Sequence, residues 1–172
     1  MSYNHERGIY LRFTLFWSNF AHMQTLNLPP AELKLTQQNG ETYVFDILRR
    51  KYVRLTPEEW VRQHFVHFLI GHKGYPQGLM ANEVALSLNS TIKRCDTVLY
   101  NRDAHPQLIV EYKAPHIELT QRVFDQIGRY NIVLHVPFLI VSNGLQHYCC
   151  HIDYASGQYE FLRDIPCYAD VL

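Results

Sequence analysis

Arg94-Cys95-Asp96-Thr97-Val98-Leu99-Tyr100 and, across a polar turn, Leu108-Ile109-Val110-Glu111-Tyr112-Lys113 form the stretch that decides the fold. Both are apolar runs of strand length, and the segment Asn101 to Pro106 between them is rich in residues that favour chain reversal. A side-chain period of two puts Glu111 and Lys113 on one face of the second strand, with Val110 and Tyr112 on the other. Glu111 follows three apolar residues without a polar break, which places its strand inside a sheet. Asp96 is embedded in the same way, between Cys95 and Thr97-Val98-Leu99. Carboxylates held in such strands need a partner or a task, because an unpaired buried charge is costly.

Working outward, Leu79 to Leu88 forms a preceding strand, with Val84, Leu86 and Leu88 on one face and Glu83, Ala85 and Ser87 on the other. Asn89-Ser90-Thr91 turns the chain into Ile92 to Tyr100. Upstream, Thr56-Pro57-Glu58-Glu59 starts a helix: Thr56 suits the N-cap, Pro57 the first position, and Glu59 completes a capping box. That helix runs to about Gly71 with Val61, Phe65, Phe68 and Leu69 on its buried side, and a loop follows to Gly78. Further upstream, the lead-in Leu26 to Pro30 is followed by alternating runs, Glu32 to Thr36 and Glu41 to Phe45. They flank Asn39-Gly40, a hairpin signal. The basic cluster Leu48-Arg49-Arg50-Lys51-Tyr52-Val53-Arg54 is either a solvated connector or a phosphate-facing patch.

Downstream of Pro115 the period changes to that of a helix, from Ile117 to about Asn131, with Leu119, Val123, Ile127 and Leu134 on one face. Pro137 introduces Phe138-Leu139-Ile140-Val141, a run typical of a strand buried on both faces. Ser142-Asn143-Gly144 turns into Leu145 to Ile152, and Tyr159 to Leu162 closes the sheet. From Thr56 the order is helix, three-strand meander, helix, strand, strand. It implies an α/β fold with a mixed central sheet, preceded by an N-terminal β-hairpin.

The 172 residues, 47% hydrophobic and 19% charged, suit one globular domain. Residues 23–55 are its lead-in and hairpin and 56–172 its main body. The aromatic-rich segment 1–22 fits neither and is expected to be a non-native or disordered extension, with Met23 as an alternative start. Its apolar run, Ile9 to Phe20, is broken by Arg12, Ser18 and Asn19 and does not suit a bilayer span. Lys+Arg and Asp+Glu each number 16, so a nucleic acid has to be held by a local basic face. The four cysteines form no C-x-x-C pair, as expected of reduced thiols in a cytoplasmic protein.

Metal-assisted cleavage of a phosphodiester needs hard oxygen ligands for Mg²⁺ or Mn²⁺ and a cation to meet developing negative charge. Asp96 and Glu111 supply such ligands, Glu83 adds a carboxylate directly or through water, and Lys113 supplies the cation. Gln126 and Tyr130, four residues apart, share a helix face that could overlook the strand patch. The duller explanation of Glu111 and Lys113 is a solvated pair on an exposed strand. His64 and His67 lack a third ligand and an H-E-x-x-H frame, which leaves them a packing or surface role. His147, Cys149, Cys150 and His151 match no structural zinc spacing. No G-x-x-x-x-G-K-[ST] and no G-x-S-x-G is present.

Asp96, Glu111-Tyr112-Lys113 and Gln126-Ile127-Gly128-Arg129-Tyr130 resemble the PD-(D/E)xK nuclease core with its Q-x-x-x-Y helix. More closely, Thr56-Pro57-Glu58-Glu59-Trp60-Val61-Arg62, Arg94-Cys95-Asp96, Val110-Glu111-Tyr112-Lys113-Ala114-Pro115 and the Ser142-Asn143-Gly144 turn resemble the N-terminal domain of type I restriction enzyme R proteins. The resemblance spans about residues 45 to 165. It implies a restriction-endonuclease-like fold, with Asp96 and Glu111 as Mg²⁺ ligands, Lys113 as the catalytic lysine, and Gln126 and Tyr130 as the accessory pair. Cys95 stands where the family's first motif carries its proline, and the helicase motor of R proteins has no counterpart in this chain. The expectation is a Mg²⁺-dependent DNA endonuclease domain working with restriction or repair subunits. The alternatives are a DNA-binding or assembly module that kept the fold without catalysis, and a hydrolase of RNA or small molecules using the same carboxylates.

Overall fold

Residues 24–88 and 91–171 are described by the computed structural model. The expected extension at 1–22, the alternative start at Met23, the Leu88 side chain and most of the Asn89-Ser90-Thr91 turn lie outside them. Strands β1 (Leu35–Gln38) and β2 (Glu41–Asp46) pair antiparallel as the hairpin signal implies. Asn39 and Gly40 take φ of 52° and 79°, the left-handed pair that a two-residue hairpin turn requires. The basic cluster is neither a connector nor a simple patch. Its second half is β3 (Lys51–Arg54), which makes the hairpin a three-stranded sheet. The reversal before it is built on Asp46, whose Oδ1 accepts the backbone N–H groups of Leu48 and Arg49 at 2.8 Å each. Tyr52 then packs edge-on against Phe45.

Helix α1 (Pro57–Lys73) begins where the sequence places it, with Thr56 Oγ1 accepting the Glu59 N–H at 3.1 Å. The capping box is only half made, because the Glu59 carboxylate is drawn to Arg49, Arg62 and Gln63. Gly74, at φ 74°, ends the helix. Six strands follow: β4 (Met80–Leu88), β5 (Thr91–Tyr100), β6 (Pro106–Tyr112), β7 (Phe138–Ser142), β8 (His147–Asp153) and β9 (Gln158–Leu162). They form one sheet in sequence order, antiparallel except between β6 and β7. A parallel pair needs a crossover, and α2 (Gln121–Leu134) provides it. This helix starts four residues after Ile117. A turn closed by the Ile117 N–H on the Ala114 carbonyl and an irregular stretch, 118–120, precede it, with Thr120 at the N-cap.

The two helices cover opposite faces of the sheet. Val61, Phe65, Val66 and Leu69 of α1 pack with Leu99, Leu108, Val110 and Tyr112. Val123, Ile127 and Tyr130 of α2 pack with Val98, Ile109 and Val141. Strand β6 is thus buried from both sides, and its residues alternate strictly between the two cores. Glu111 falls on the α2 side. No helix among the described residues is long and apolar enough to cross a membrane.

Gly144 ties the lead-in to this body: its carbonyl accepts the Asn27 N–H at 2.7 Å. At φ 82°, a Cβ there would lie 2.6 Å from Leu26 Cδ2 and 3.1 Å from Val61 Cγ2. Gly144→Ala therefore combines a left-handed backbone with a clash. It is expected to lower stability in urea melts by about 1–3 kcal/mol.

Asp46 predicts a pH dependence. Burial opposes its ionisation, but the Arg49 N–H, Asn82 and the Arg49 guanidinium outweigh it and hold the carboxyl below its ordinary range. A depressed folded-state value means stability that is present above the unfolded value and lost as pH falls through the folded one. Asp46→Asn should cost about 3 kcal/mol at pH 7. The gap from the unsubstituted protein should narrow in urea melts as pH is taken below about 4.

Candidate active site

Strands β5 and β6 stay paired through Thr97 opposite Val110 and then part. Beyond that pair the Tyr112 N–H is taken by a side chain, Asp96 Oδ2, at 2.7 Å. Asp96 and Glu111 therefore stand at a fork in the sheet. Here a carboxylate can be buried without forfeiting its hydrogen bonds. The Tyr112 side chain goes to the opposite face, as the alternation requires. Its hydroxyl lies 3.1 Å from Thr97 Oγ1, which donates to Asn82 Oδ1 at 2.6 Å. Asn82 in turn donates to Asp46 Oδ2 at 2.9 Å.

Glu111 is 3% exposed. Its Oε1 accepts from Lys113 Nζ at 2.6 Å and from Gln126 Nε2 at 2.5 Å, and Gln126 Nε2 also reaches Tyr130 Oη at 3.1 Å. Its Oε2 is buried with no hydrogen-bond partner. Asp96, 8% exposed, has its Oδ1 bonded by Arg62 Nη2 at 2.7 Å. Burial pushes the Glu111 carboxyl up to about 8, and neighbouring Asp96 adds to the rise. Burial also raises Asp96, against the pull of Arg62. Lys113 loses solvation but is held as a cation by Glu111. The four-residue spacing thus brings Gln126 and Tyr130 to Glu111.

Glu83 goes elsewhere. It is left out of the β4–β5 ladder, whose register is the same at Asn82–Thr97 and Val84–Cys95, at φ 58°, and its Oε1 forms an ion pair with Arg62 Nη2 at 2.9 Å. Among the described residues no three or more His, Cys, Asp or Glu side chains are arranged around one ion position. The histidines and cysteines suspected of zinc binding are accounted for individually. His147 bridges Ser142 and the Asn27 carbonyl, His151 stacks on Phe138, and the cysteines are free thiols. His64 and His67 bond helix carbonyls one turn back.

Arg62, Glu59 and Glu58 are the residues that sequence patterning missed. Arg62 is 4% exposed; its Nη1 donates to Glu59 Oε2 at 2.6 Å while its Nη2 serves Asp96. Glu59 Oε1 accepts from Arg49 Nη2 at 2.6 Å, and Arg49 Nε reaches Asp46. A continuous, largely buried ion chain, Asp46–Arg49–Glu59–Arg62–Asp96, thus runs from the N-terminal sheet to the fork. Glu58 stands at its rim, 42% exposed on its side chain, raised by burial and by Asp96. Glu58 and Glu59 also suit a helix start, so their cap role hid the second one. Arg62, one turn on, was the usable signal, since it borders the apolar stripe.

The donor set fits a hard divalent cation. Asp96 and Glu111 offer oxygens, one of them orphaned, and carboxylates outnumber cations around the fork. Mg²⁺ commonly takes only one or two protein carboxylates and keeps several waters, so a third protein ligand is not demanded.

A mixed sheet between two helices, with an acidic fork on its central strands, defines the restriction-endonuclease-like α/β class. Residues 57–166 match the family described as type I restriction enzyme R protein N terminus, and the chain belongs to that family. The same fold is found in a solved fragment assigned to the HsdR subunit of a type I restriction enzyme from Vibrio vulnificus YJ016. The TM-score is 0.50 and the identity 21%, over 68% of this chain and 24% of that one. This chain therefore spans about a quarter of that solved chain. No curated protein matches.

Adjacent residues on α1 should behave differently. Glu59→Gln strips the shared anion from buried Arg62 and half-buried Arg49 and should cost about 3 kcal/mol or more in urea melts. Glu58→Gln, at the rim beside Asp96, should stay within about 0.5 kcal/mol of the unsubstituted protein.

Proposed function

We propose that the chain is a Mg²⁺-dependent DNA endonuclease domain, also served by Mn²⁺, that hydrolyses phosphodiester bonds at the Asp96–Glu111 fork. The carrying observation is the orphaned Oε2 of Glu111, beside Asp96 and backed by Lys113 and Gln126. Asp96 and Glu111 would hold the cation, which would supply positive charge and make water more acidic. Gln126 keeps Glu111 Oε1 occupied, so Oε2 is the oxygen turned to the ligand, and Tyr130 steadies Gln126 from one helical turn away. Lys113, kept protonated by Glu111, donates hydrogen bonds to the attacking oxygen or to a phosphate oxygen as negative charge builds. Water adds to phosphorus and gives up a proton to solvent, the bond to the leaving ester oxygen breaks, and that oxygen takes up a proton from solvent. DNA as substrate and other restriction–modification subunits as partners belong to the same proposal, which family membership supports.

One observation favours the second reading, a DNA-binding or assembly module without catalysis. Both Asp96 oxygens are already bonded, to Arg62 and to the Tyr112 N–H. Plasmid cleavage separates the two. The nuclease reading expects nicking that needs Mg²⁺ or Mn²⁺ and falls by about 10²–10³ in Lys113→Ala and Asp96→Ala. Cleavage indifferent to both substitutions, or none with either metal, rejects it. In thermal melts, Mg²⁺ at a hundred times its dissociation constant should add about 2.7 kcal/mol, and Glu111→Gln should abolish the gain.

A further inference from the structure

We propose that Arg62 is the displaceable counter-ion of Asp96, and that Glu83 acts as the receiving partner for its guanidinium when Asp96 takes up a divalent cation. The inference rests on the cation site proposed at Asp96 and Glu111, and it gives Glu83 a positioning role in place of a ligand role.

Three observations carry it. Arg62 Nη2 stands between Asp96 Oδ1 at 2.7 Å and Glu83 Oε1 at 2.9 Å, with rim residue Glu58 farther off at 3.8 Å. The guanidinium is anchored on its other side by Glu59, 2.6 Å from Nη1, so it can shift its Nη2 end without leaving its place. Buried polar atoms without partners are rare, yet Arg62 Nε and Glu111 Oε2 both lack one. A donor is thus left unused on the counter-ion and an acceptor at the fork.

The backbone makes the same point. Glu83 lies within β4 opposite Asp96 but unpaired with it, at φ 58°, a conformation a non-glycine residue adopts in mid-strand only when its surroundings enforce it. Its carboxylate ends on Arg62, with exposed Arg94 3.9 Å from the second oxygen. Asp96 cannot serve a cation fully while its Oδ1 is spent on Arg62. Moving Arg62 toward Glu83 frees that oxygen and keeps the buried guanidinium paired.

Mn²⁺ calorimetry on the full chain tests this. A lysine ammonium cannot span Glu59 and Asp96 as the forked guanidinium does, so Arg62→Lys should bind Mn²⁺ about threefold tighter or more. A residue needed only for structure would not raise affinity. Glu83→Gln should bind about threefold weaker, and in the Arg62→Lys background its effect should fall below about 1.5-fold. A folded Arg62→Lys protein with unchanged or weaker affinity overturns the proposal. So does a Glu83→Gln effect of equal size in both backgrounds, which would make Glu83 a direct ligand. Should Arg62→Lys not fold, a crystal structure of the unsubstituted protein with Mn²⁺ decides. Arg62 Nη2 on Glu83 and away from Asp96 supports the proposal. Arg62 still bonded to Asp96, or Glu83 on the metal, overturns it. An unsubstituted protein that binds no Mn²⁺ removes the cation site itself and this inference with it.

Discussion

Asp96 is a carboxylate inside a sheet, and the rest of the molecule is arranged to make that tolerable. A buried anion has to be neutralised or hydrogen-bonded in place. Asp96 receives the Tyr112 N–H on one oxygen and Arg62 on the other. Arg62 needs a second anion, which is Glu59. Glu59 in turn holds Arg49, and Arg49 holds Asp46 at the end of β2. The three-stranded N-terminal sheet is therefore electrostatically part of the site, although none of its residues reaches the fork.

A second, uncharged path follows the same course. Asp46, Asn82, Thr97 and Tyr112 are linked by hydrogen bonds from the hairpin to the strand that carries Glu111. Two independent routes from one aspartate to the fork restrict its geometry more than either would alone. The apolar cores on the two faces supply the driving force for folding, while this polar seam decides where the charged groups of the fork stand. The fork itself follows from side chains: once Asp96 takes the Tyr112 N–H, the β5–β6 ladder has no reason to continue.

Much of this was legible in the sequence. The period of two around Val110 and Tyr112 located β6 and sent Glu111 to the α2 face, and the four-residue spacing of Gln126 and Tyr130 put both near it. Thr56 marked the start of α1. What periodicity could not show was pairing at a distance. Lys51 to Arg54 looked like a charged connector because three of its four side chains are exposed, yet its backbone completes a sheet. Glu59 satisfied the pattern of a capping box and was captured by arginines on either side. Glu83 alternated correctly as a carboxylate facing Asp96, but Arg62, from a helix some twenty residues earlier, stands between them. Local pattern carries the elements; the ion chain is made of contacts that no local pattern encodes.

Membership of the type I restriction enzyme R protein N-terminus family accounts for the fold, and the proposed place for a cation is the fork. The central claim is that this place is Asp96 and Glu111. Paramagnetic broadening by substoichiometric Mn²⁺ in an amide NMR spectrum tests it without requiring any activity. The account predicts early, selective loss of the resonances of Asp96, Glu111, Tyr112 and Lys113, restored by chelator. Broadening confined to exposed acids such as Asp153 and Asp164, with the fork resonances intact, would contradict it.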